Sequence, residues 1–394
     1  MAKEAIVIVD PISTGGSVAL EAYTRGFAVI ACWCNELTPE FKSHLPDCCL
    51  TDFSLYAEVE EGEKTIAETA AAVKKAADPM KIVAVTVGGE SGVTLADKLS
   101  TELKVRSNGI FPTGDRRNKS VQQKAVKAAG LHAVREALGK QWSAVEAFVE
   151  SEPMPVVVKP VESCGSDGVK LCRTKEEAKE HFNLLMDSQR KVGAQDAAVL
   201  VQEFLKGQEY VVDHVSRDGV HKCVMVYVYD KRPTNGAAFV YYGMIPVDAE
   251  SKEAKILIDY TRGVLKQKTR KTTNKMKYKV KTIKMNKNNK SKHIKNTCGV
   301  LDALKLDNGP THGEVMMTAD GPCLVEMNCR SHGWDGAWVP LAKALTGGYA
   351  QPAVALDSHV DAEAFAKIPD AYPSPVKAAG PLWRSKLDAK WDRK

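Results

Sequence analysis

The chain has 394 residues, of which 44% are hydrophobic and 26% charged, a composition that fits a globular protein of roughly two or three domains without an apolar run able to span a bilayer. Its net charge of +6 is misleading, because one lysine-rich segment alone carries +13 and leaves −7 for the remainder, so the charge does not indicate a nucleic-acid-binding protein. Ten cysteines without paired Cys-x-x-Cys spacing and first residues without a secretory signal exclude a zinc or disulfide scaffold and predict a cytoplasmic protein.

The first hundred residues alternate between strand and helix patterns. Strands are predicted at residues 5–9, 28–33 and 82–87, and helices at residues 17–25, 63–77 and 94–103. This alternation predicts an open α/β sheet of parallel strands, in which ligands bind beyond the carboxyl ends of the strands. Glu90 follows the third strand and is therefore a candidate substrate contact; the alternative is that it caps the next helix. The loop with Gly15 and Gly16 lacks the full glycine fingerprint of a dinucleotide site.

The central motif reads Val-Val-Val-Lys-Pro-Val-Glu-Ser-Cys-Gly-Ser-Asp-Gly-Val at residues 156–169. Its valines predict a buried strand that ends with Lys159, and Pro160, which has no N–H to donate, marks the point where the strand leaves the sheet. The small residues after it let backbone N–H groups approach an anion; they are Ser163, Cys164, Gly165, Ser166 and Gly168. A lysine before such a loop indicates a nucleotide-phosphate site, although the motif is not a Walker A loop. The alternative is a solvated lysine before a surface turn.

Two further regions flank this motif. Before it, Lys119 begins an alanine-rich helix that ends at Gly130, and its ammonium is either a second phosphate ligand or a solvated charge. After it, a helix at 176–189 precedes predicted strands at residues 199–205, 210–215, 223–229 and 238–245. These strands alternate as antiparallel neighbours, so we predict that this half of the chain is α+β.

The lysine-rich segment, residues 266–297, differs from its surroundings. It contains twelve lysines, one arginine and no acidic residue, and such a composition predicts a disordered or charged surface loop. The sequence Gly-Val-Leu at 263–265 recurs at 299–301, and joining the two flanks gives one uninterrupted amphipathic helix, so we infer an insertion into a helix. The alternative is a nucleic-acid or polyanion patch, for which the single aromatic residue Tyr278 offers little base stacking.

A predicted hairpin at residues 313–328 carries candidate metal ligands. Glu326 and Asn328 point to the same face, because side chains in a strand repeat every second residue. With Glu314 they supply two carboxylates and an amide oxygen, the hard oxygen ligands that Mg²⁺ prefers. Arg330 follows on this face and suits a developing phosphate charge. The alternative is a pair of exposed strand glutamates.

In this order the motifs resemble the ATP-grasp superfamily, and within it the ligases that join a carboxylate to an amine, such as L-amino-acid ligases. The resemblance covers about residues 5–344 without the insertion and rests on the central motif, on Val-Gln-Glu-Phe-Leu-Lys-Gly-Gln-Glu-Tyr at 201–210, and on Gly-Glu-Val with Val-Glu-Met-Asn-Cys-Arg in the hairpin. It implies an ATP-grasp fold in which two α+β subdomains hold the nucleotide. The implied units are an N-terminal α/β domain (1–113), a small lid subdomain (114–198), a large subdomain with the insertion (199–350) and a tail (351–394).

The resemblance also implies a role for each motif residue. Phosphate, adenine and ribose contacts would come from Lys119, Lys159, Ser163, Gly165, Ser166, Gly168, Glu203, Phe204, Leu205 and Glu209. Mg²⁺, or alternatively Mn²⁺, would be held by Glu314, Glu326 and Asn328. Lys159 and Arg330 would act in catalysis, and the substrate would meet Glu90, Arg330 and His332.

The implied reaction uses ATP to turn a carboxylate into an acyl phosphate, from which an amine displaces phosphate. Positioning and charge neutralisation carry such chemistry, which explains lysines, an arginine and metal ligands without a nucleophile–base triad. The implied partners are a small carboxylate, which the family resemblance suggests is an amino acid, and a small amine. No nucleic-acid or membrane partner is expected, and the sequence leaves the identity of the substrates and a homodimer open.

Three departures from the family pattern leave alternatives open. Cys-Arg-Ser-His-Gly at residues 329–333 stands where these ligases commonly have proline before the arginine and two glycines after it, so His332 and Trp334 either alter the acceptor pocket or are loop variation. The chain ends at Lys394, where relatives usually continue, and the insertion interrupts a helix. The alternatives are therefore an ATP-binding but inactive remnant, or a carboxylase- or kinase-like relative.

Overall fold

The computed structural model describes residues 3–37, 42, 54–110, 116–161, 168–191, 198–234, 237–263 and 298–373, which form three β-sheets with helices packed on them. In chain order the strands are β1 Glu4–Val9, β2 Ala28–Trp33, β3 Ala57–Glu60, β4 Lys81–Val87, β5 Glu136–Gly139, β6 Val156–Pro160, β7 Lys170–Cys172, β8 Val199–Glu203, β9 Gly207–Arg217, β10 Val220–Thr234, β11 Ala237–Pro246, β12 Gly309–Thr318 and β13 Gly321–Asn328. The helices are α1 Thr14–Thr24, α2 Ile66–Ala77, α3 Val93–Glu102, α4 Lys119–Ala128, α5 Glu146–Ser151, α6 Lys175–Lys191, α7 Lys252–Arg262, α8 Val300–Ala303, α9 Val339–Thr346, α10 Gln351–Val360 and α11 Ala362–Lys367. None of the described helices is long and apolar enough to cross a membrane.

The first sheet has the order β3-β2-β1-β4, and all of its strands are parallel. Its side chains alternate between two faces, because a strand repeats every second residue. Ile6 and Ile8 pack with Val18 of α1 and Leu356 of α10, whereas Val7 faces the core that α2 and α3 cover. The predicted parallel α/β sheet is confirmed, and β3 is an additional strand that the sequence pattern did not reveal.

The loops that follow β1 and β4 touch through glycine backbones. A Cβ on Gly88 would lie 2.3 Å from the carbonyl oxygen of Asp10, and a Cβ on Gly15 would lie 2.5 Å from the Cα of Gly88. We expect Gly88→Ala to lower the free energy of unfolding by about 2 kcal/mol, because the added methyl forces these backbones apart. Gly243→Ala is the matched control, since nothing lies within 4 Å of its Cβ position. Equal denaturant midpoints for the two variants, followed by circular dichroism, would contradict the prediction.

The second sheet is antiparallel with the order β5-β8-β6-β7. Its buried face, with Val156 and Val201, packs on Phe182 of α6. The strand β8 pairs with both β5 and β6, so this sheet extends beyond the predicted subdomain boundary at residue 198. The predicted domain boundaries themselves stay predictions.

The third sheet is antiparallel with the order β11-β10-β9-β12-β13. The predicted hairpin at residues 313–328 is present as β12 and β13, and β12 pairs with β9 so that the hairpin joins the preceding strands in one sheet. A parallel first sheet followed by two antiparallel sheets confirms the predicted α/β and α+β class.

The flanks of the lysine-rich segment lie against each other. A Cβ on Gly299 would stand 2.1 Å from the backbone nitrogen of Gly263 and 2.4 Å from the carbonyl carbon of Arg262, so only glycine fits there. The flanks do not form the one uninterrupted helix that joining them predicted: α7 ends at Arg262, the next residue Gly263 has a φ of 80° that cannot continue a helix, and α8 begins anew after Gly299. The segment itself, within residues 264–297, lies outside the described part of the chain.

The residues after 350 do not begin as the tail we predicted. The helix α10 buries eight of its ten residues and packs between α1 and β9. Gln351, its first residue, donates to the carbonyl oxygens of His214 at 3.1 Å and Thr311 at 2.8 Å. Arg25, which follows α1 directly, pairs with Asp357 at 2.5 Å. Residues 351–373 are therefore part of the packed fold, and the predicted remainder of the tail, 374–394, lies outside the described residues.

Candidate active site

A cleft between the second and third sheets collects most of the predicted ligands. It encloses about 910 Å³, including space that is open to solvent. Ten of the predicted residues line it, namely Lys119, Lys159, Glu203, Phe204, Leu205, Glu209, Glu314, Glu326, Asn328 and Arg330. Gly168 lies just outside this set, with a φ of 67°, one residue before the lining residue Val169. The predicted loop residues Ser163, Gly165 and Ser166 lie outside the described part of the chain.

Two buried lysines stand on one side of the cleft. In β6, Val156 and Val158 face the core, so the alternation of the strand turns Val157 and Lys159 toward the cleft. Burial, followed by repulsion from Lys119, lowers the pKa of Lys159 to about 8. An ammonium whose pKa falls in this way has too little compensating negative charge around it. A phosphate group would supply that charge.

Lys119 is the first residue of α4, and its ammonium lies 2.8 Å from Glu326 Oε1. The side chain of Asn118 caps this helix by accepting a hydrogen bond from the backbone N–H of Val121 at 3.0 Å. The cap fixes the helix start, so Lys119 enters the cleft from a rigid element.

The end of β8 forms another wall of the cleft. The carboxylate of Glu203 is occupied by Arg135, accepting from its backbone N–H at 2.8 Å and pairing with its guanidinium at 2.5 Å. Phe204 and Leu205, which follow the end of this strand, also line the cleft. The predicted adenine contact stays a prediction.

Lys231 of β10 connects two predicted carboxylate ligands. Its ammonium lies 2.5 Å from Glu209 Oε1 and 3.4 Å from Glu314 Oε2, and it stands 4.4 Å from the ring centroid of Tyr241. Burial, partly offset by Lys231 and assisted by Glu314, raises the pKa of Glu209 to about 7. Burial also opposes ionisation of Glu314, but Lys231 and His312 outweigh it and hold the pKa of Glu314 well below its usual range.

The two predicted metal carboxylates face each other across the hairpin. Glu314 and Glu326 are direct partners in the register of β12 and β13. Burial raises the pKa of Glu326 although Lys119 opposes the change, so this carboxylate lacks positive charge. Asn328 Oδ1 lies beside them and accepts from Arg330 Nη2 at 3.3 Å. Two partly buried carboxylates and an amide oxygen on one wall fit a divalent cation with a preference for oxygen.

Arg330 joins the cleft to the first sheet. Its Nε lies 2.9 Å from an oxygen of Glu90, which follows β4 in a short 3₁₀ turn, and Arg117 Nε lies 3.7 Å from the same carboxylate. Burial opposes the positive charge, but Glu90 outweighs it and raises the pKa of Arg330. Glu90 therefore lies beyond the carboxyl end of β4 and beside Arg330, and its contact with a substrate stays a prediction.

His332 lies behind the cleft wall rather than on it. Its ring is 1% exposed, donates from Nδ1 to the Asp213 carboxylate at 2.9 Å, and stacks on Trp338 with a centroid distance of 5.1 Å. Burial lowers the pKa of His332 to about 4 despite Asp213. The structure therefore does not bring His332 to the predicted substrate position.

Three residues near the site were not predicted from the sequence to have a role in it. Asp213 and His312 are both buried. Burial alone would raise the pKa of Asp213, but the two imidazoles outweigh it and lower this pKa to about 2. Burial alone would lower the pKa of His312, but the carboxylates of Asp213 and Glu314 outweigh it and raise this pKa. Lys231 is the third of these residues. Its place between Glu209 and Glu314 depends on strands that are far apart in the chain, so no local pattern reveals it.

Comparisons with known proteins agree with this geometry. The family described as phosphoribosylglycinamide synthetase, ATP-grasp (A) domain, matches residues 117–334, more than half of the chain. The chain is 28% identical over 338 residues to dapdiamide A synthase of Enterobacter agglomerans, covering 84% of this chain and 68% of that protein. It is 24% identical over 226 residues to alanine–anticapsin ligase of Bacillus amyloliquefaciens, covering 52% of this chain and 48% of that protein.

Solved structures show a similar fold at low sequence identity. An L-amino acid ligase from Bacillus licheniformis superposes with a TM-score of 0.61 and 17% identity over 91% of this chain and 74% of that one. An N5-carboxyaminoimidazole synthetase from Staphylococcus aureus gives a TM-score of 0.59 and 12% identity over 94% of this chain and 80% of that one.

Proposed function

The chain belongs to the family of the phosphoribosylglycinamide synthetase ATP-grasp (A) domain, and from that membership we propose that it is an ATP-dependent ligase that joins a carboxylate to an amine. The observation that carries the proposal is the single cleft on which Lys119, Lys159, Glu314, Glu326 and Arg330 converge. The relatives named above as a synthase and a ligase support the same class. The chain spans 68% of the first and about half of the second, so their whole activity is part of the proposal.

The proposed reaction has two displacements. A carboxylate oxygen of the acid attacks the γ-phosphorus of ATP, the bond to the bridging oxygen breaks, and ADP leaves. The amine nitrogen then attacks the carbonyl carbon of the acyl phosphate, the carbon–oxygen bond breaks with its electron pair on phosphate, and the amine releases a proton. Both steps need alignment and charge neutralisation more than covalent help from side chains.

The residues of the cleft divide this work by charge. Lys119 and Lys159 bind and neutralise phosphate oxygens, and Arg330 orients the phosphoryl group that is transferred. Glu314, Glu326 and Asn328 would hold Mg²⁺, or Mn²⁺, and the ion supplies positive charge to the triphosphate.

We propose an amino acid as the acid substrate. Arg330 and Glu90 lie 2.9 Å apart at the junction with the first sheet, and they offer one positive and one negative group side by side. A zwitterionic amino acid is complementary to such a pair, since its carboxylate suits Arg330 and its ammonium suits Glu90. The cytoplasmic location, the lack of a nucleic-acid or membrane partner, and a homodimer stay predictions.

The ligase class is tested by ADP formation with Mg²⁺ and ATP against pools of amino acids. We expect ADP release only when both an acid and an amine are present, and splitting the pools then identifies them. Glu326→Ala is expected to reduce the rate by at least about 100-fold, because one of the oxygen ligands that would hold the cation beside the triphosphate is lost. Binding of ATP without ADP release across the whole panel would support the inactive remnant instead.

A further inference from the structure

A buried polar cluster lies behind Glu314 and Arg330. It consists of Asp213 on β9, Tyr229 on β10, His312 on β12 and His332 after β13, all of them buried. Asp213 Oδ1 is 3.0 Å from Nδ1 of His312, and its Oδ2 is 2.9 Å from Nδ1 of His332. The two imidazole rings lie 4.1 Å apart between centroids. None of the four lines the nucleotide cleft, so the reaction described above gives them no role.

Donors and acceptors in the cluster fix where its hydrogens lie. An ionised carboxylate only accepts, so both Nδ1 atoms carry hydrogen. Each Nε2 lies 3.3 Å from the hydroxyl of Tyr229, which has a single hydrogen to donate. Nε2 of His312 also lies 3.5 Å from Glu314 Oε1, where a bare nitrogen would face a carboxylate. The consistent arrangement has Tyr229 donating to His332, and His312 donating toward Glu314.

The cluster touches both sides of the reacting centre. His312 precedes Glu314 by two residues on the same face of β12, so its ring reaches that carboxylate from behind the cleft wall. His332 follows Arg330 by two residues, and its ring fastens the Arg330 loop to β9 through Asp213. Gln351 holds the same loop by accepting from the backbone N–H of His332 at 2.8 Å.

We propose that Asp213 is a positioning residue of the proposed ligase, which holds His312 against Glu314 and His332 behind Arg330. The inference rests on the proposed function. Asp213 does not line the cleft, and it acts through the two imidazoles that share its carboxylate. By fixing both, it keeps the metal-side carboxylate and the phosphate-facing guanidinium at a set separation. Groups that orient ligands in this way commonly account for about 10- to 100-fold in metal affinity or activity.

Three of these residues also lie close enough together to be ligands of one metal ion. Ligand atoms of Asp213, His312 and His332 lie within 4.8 Å of one another, and this is the single such group among the described residues. The geometry favours hydrogen bonds, because each carboxylate oxygen is directed to a different imidazole at hydrogen-bond distance. A metal ion at Nδ1 and a hydrogen at Nδ1 exclude each other, so the two readings are separable.

The hydrogens are tested directly by nuclear magnetic resonance of the full chain labelled at histidine with ¹⁵N. We expect two hydrogen-bonded Nδ1–H signals that persist in excess EDTA, and the loss of at least one in Asp213→Asn, because the amide nitrogen cannot accept. Stoichiometric zinc, cobalt or nickel retained by the wild type and lost in His332→Gln would overturn the proposal in favour of a metal site.

The positioning role is tested by binding and by rate. For Asp213→Asn we expect the Mg²⁺ concentration that half-saturates ADP binding to rise about 10-fold or more, and kcat for ADP formation to fall about 10- to 100-fold. Binding of adenosine, which needs neither metal nor phosphate contacts, should be unchanged. His221→Asn is the matched control, since it removes a buried histidine that does not line the cleft. The Nδ1 atom of this histidine lies 2.7 Å from the hydroxyl oxygen of Ser216.

The outcomes separate this inference from the proposed function. If the wild type shows no amine-dependent ADP release, the ligase proposal fails, while the Mg²⁺ dependence of ADP binding still tests Asp213. An unchanged Mg²⁺ requirement and an unchanged kcat in Asp213→Asn would refute the positioning role. Should that variant not fold, Tyr229→Phe removes one hydroxyl and keeps the ring, and we expect the same shifts at about one third of the size or more.

Discussion

Lys159→Met is expected to slow ADP formation and, at pH 7, to raise the thermal stability of the protein. Lys159 is 5% exposed, and burial lowers the pKa of its ammonium to about 8. Relative to the ordinary value of about 10.5, this corresponds to about 3 kcal/mol of unfavourable free energy while the group is charged. Methionine fills a similar volume without a charge, so it removes this cost. The rate should fall by at least about 100-fold, because a phosphate contact is lost.

The pH dependence of the stability distinguishes this explanation from a general packing effect. The native state releases the Lys159 proton near pH 8, whereas the unfolded chain keeps it to about pH 10.5, so the wild type gains stability as pH rises through this window. The advantage of the methionine variant should therefore be full below pH 8 and vanish by about pH 10.5. Lys170→Met on the adjacent strand β7 is the control. A lower melting temperature for Lys159→Met at pH 7 would contradict the prediction.

Arg330→Lys is expected to lower kcat by about 1,000-fold while the affinity for ADP changes little. Three partners fix the plane of the guanidinium: Glu90 at 2.9 Å, Asn328 at 3.3 Å and the carbonyl oxygen of Ser331 at 3.0 Å. A lysine keeps the charge but has one nitrogen, so it cannot hold these partners and orient a phosphoryl group as well.

The measurement for Arg330→Lys compares steady-state kcat with ADP binding by calorimetry. Arg117→Lys is a suitable control, because Arg117 also pairs with Glu90, at 3.7 Å, without lining the cleft. We expect that control to lose less than about 10-fold. If the dissociation constant for ADP rose by the same factor as kcat fell in Arg330→Lys, the arginine would serve binding rather than the transferred phosphoryl group.

Much of the ligand set could be predicted because it follows local rules. The alternation of a strand puts Glu326 and Asn328 on one face, and a run of valines that ends in lysine marks where a buried strand meets the cleft. The order of these motifs along the chain carried the family resemblance. Each of these signals lies within about ten residues, where periodicity and side-chain type are informative.

The buried cluster escaped prediction because its contacts are remote in the chain. Asp213 lies 99 residues from His312 and 119 residues from His332, and nothing in the intervening sequence indicates that β9 would pair with β12. His332 was assigned to the substrate for its place after Arg330, yet that loop turns the ring inward. The flanks of the insertion show a similar limit, since the positive φ of Gly263 ends a helix that composition alone would continue.

In the free protein, the lysines and the carboxylates of the cleft neutralise one another. Lys119 rests on Glu326 at 2.8 Å, and Lys231 rests on Glu209 at 2.5 Å. A nucleotide that bound alone would draw the lysines away and leave buried carboxylates without a positive partner. A cation that bound alone would leave the lysines without a negative partner. When both ligands bind, the lysines pair with the nucleotide phosphates and the carboxylates pair with the cation, so these charges stay neutralised. We therefore expect the affinities for nucleotide and cation to be reciprocally linked, so that each ligand raises the affinity for the other by the same factor.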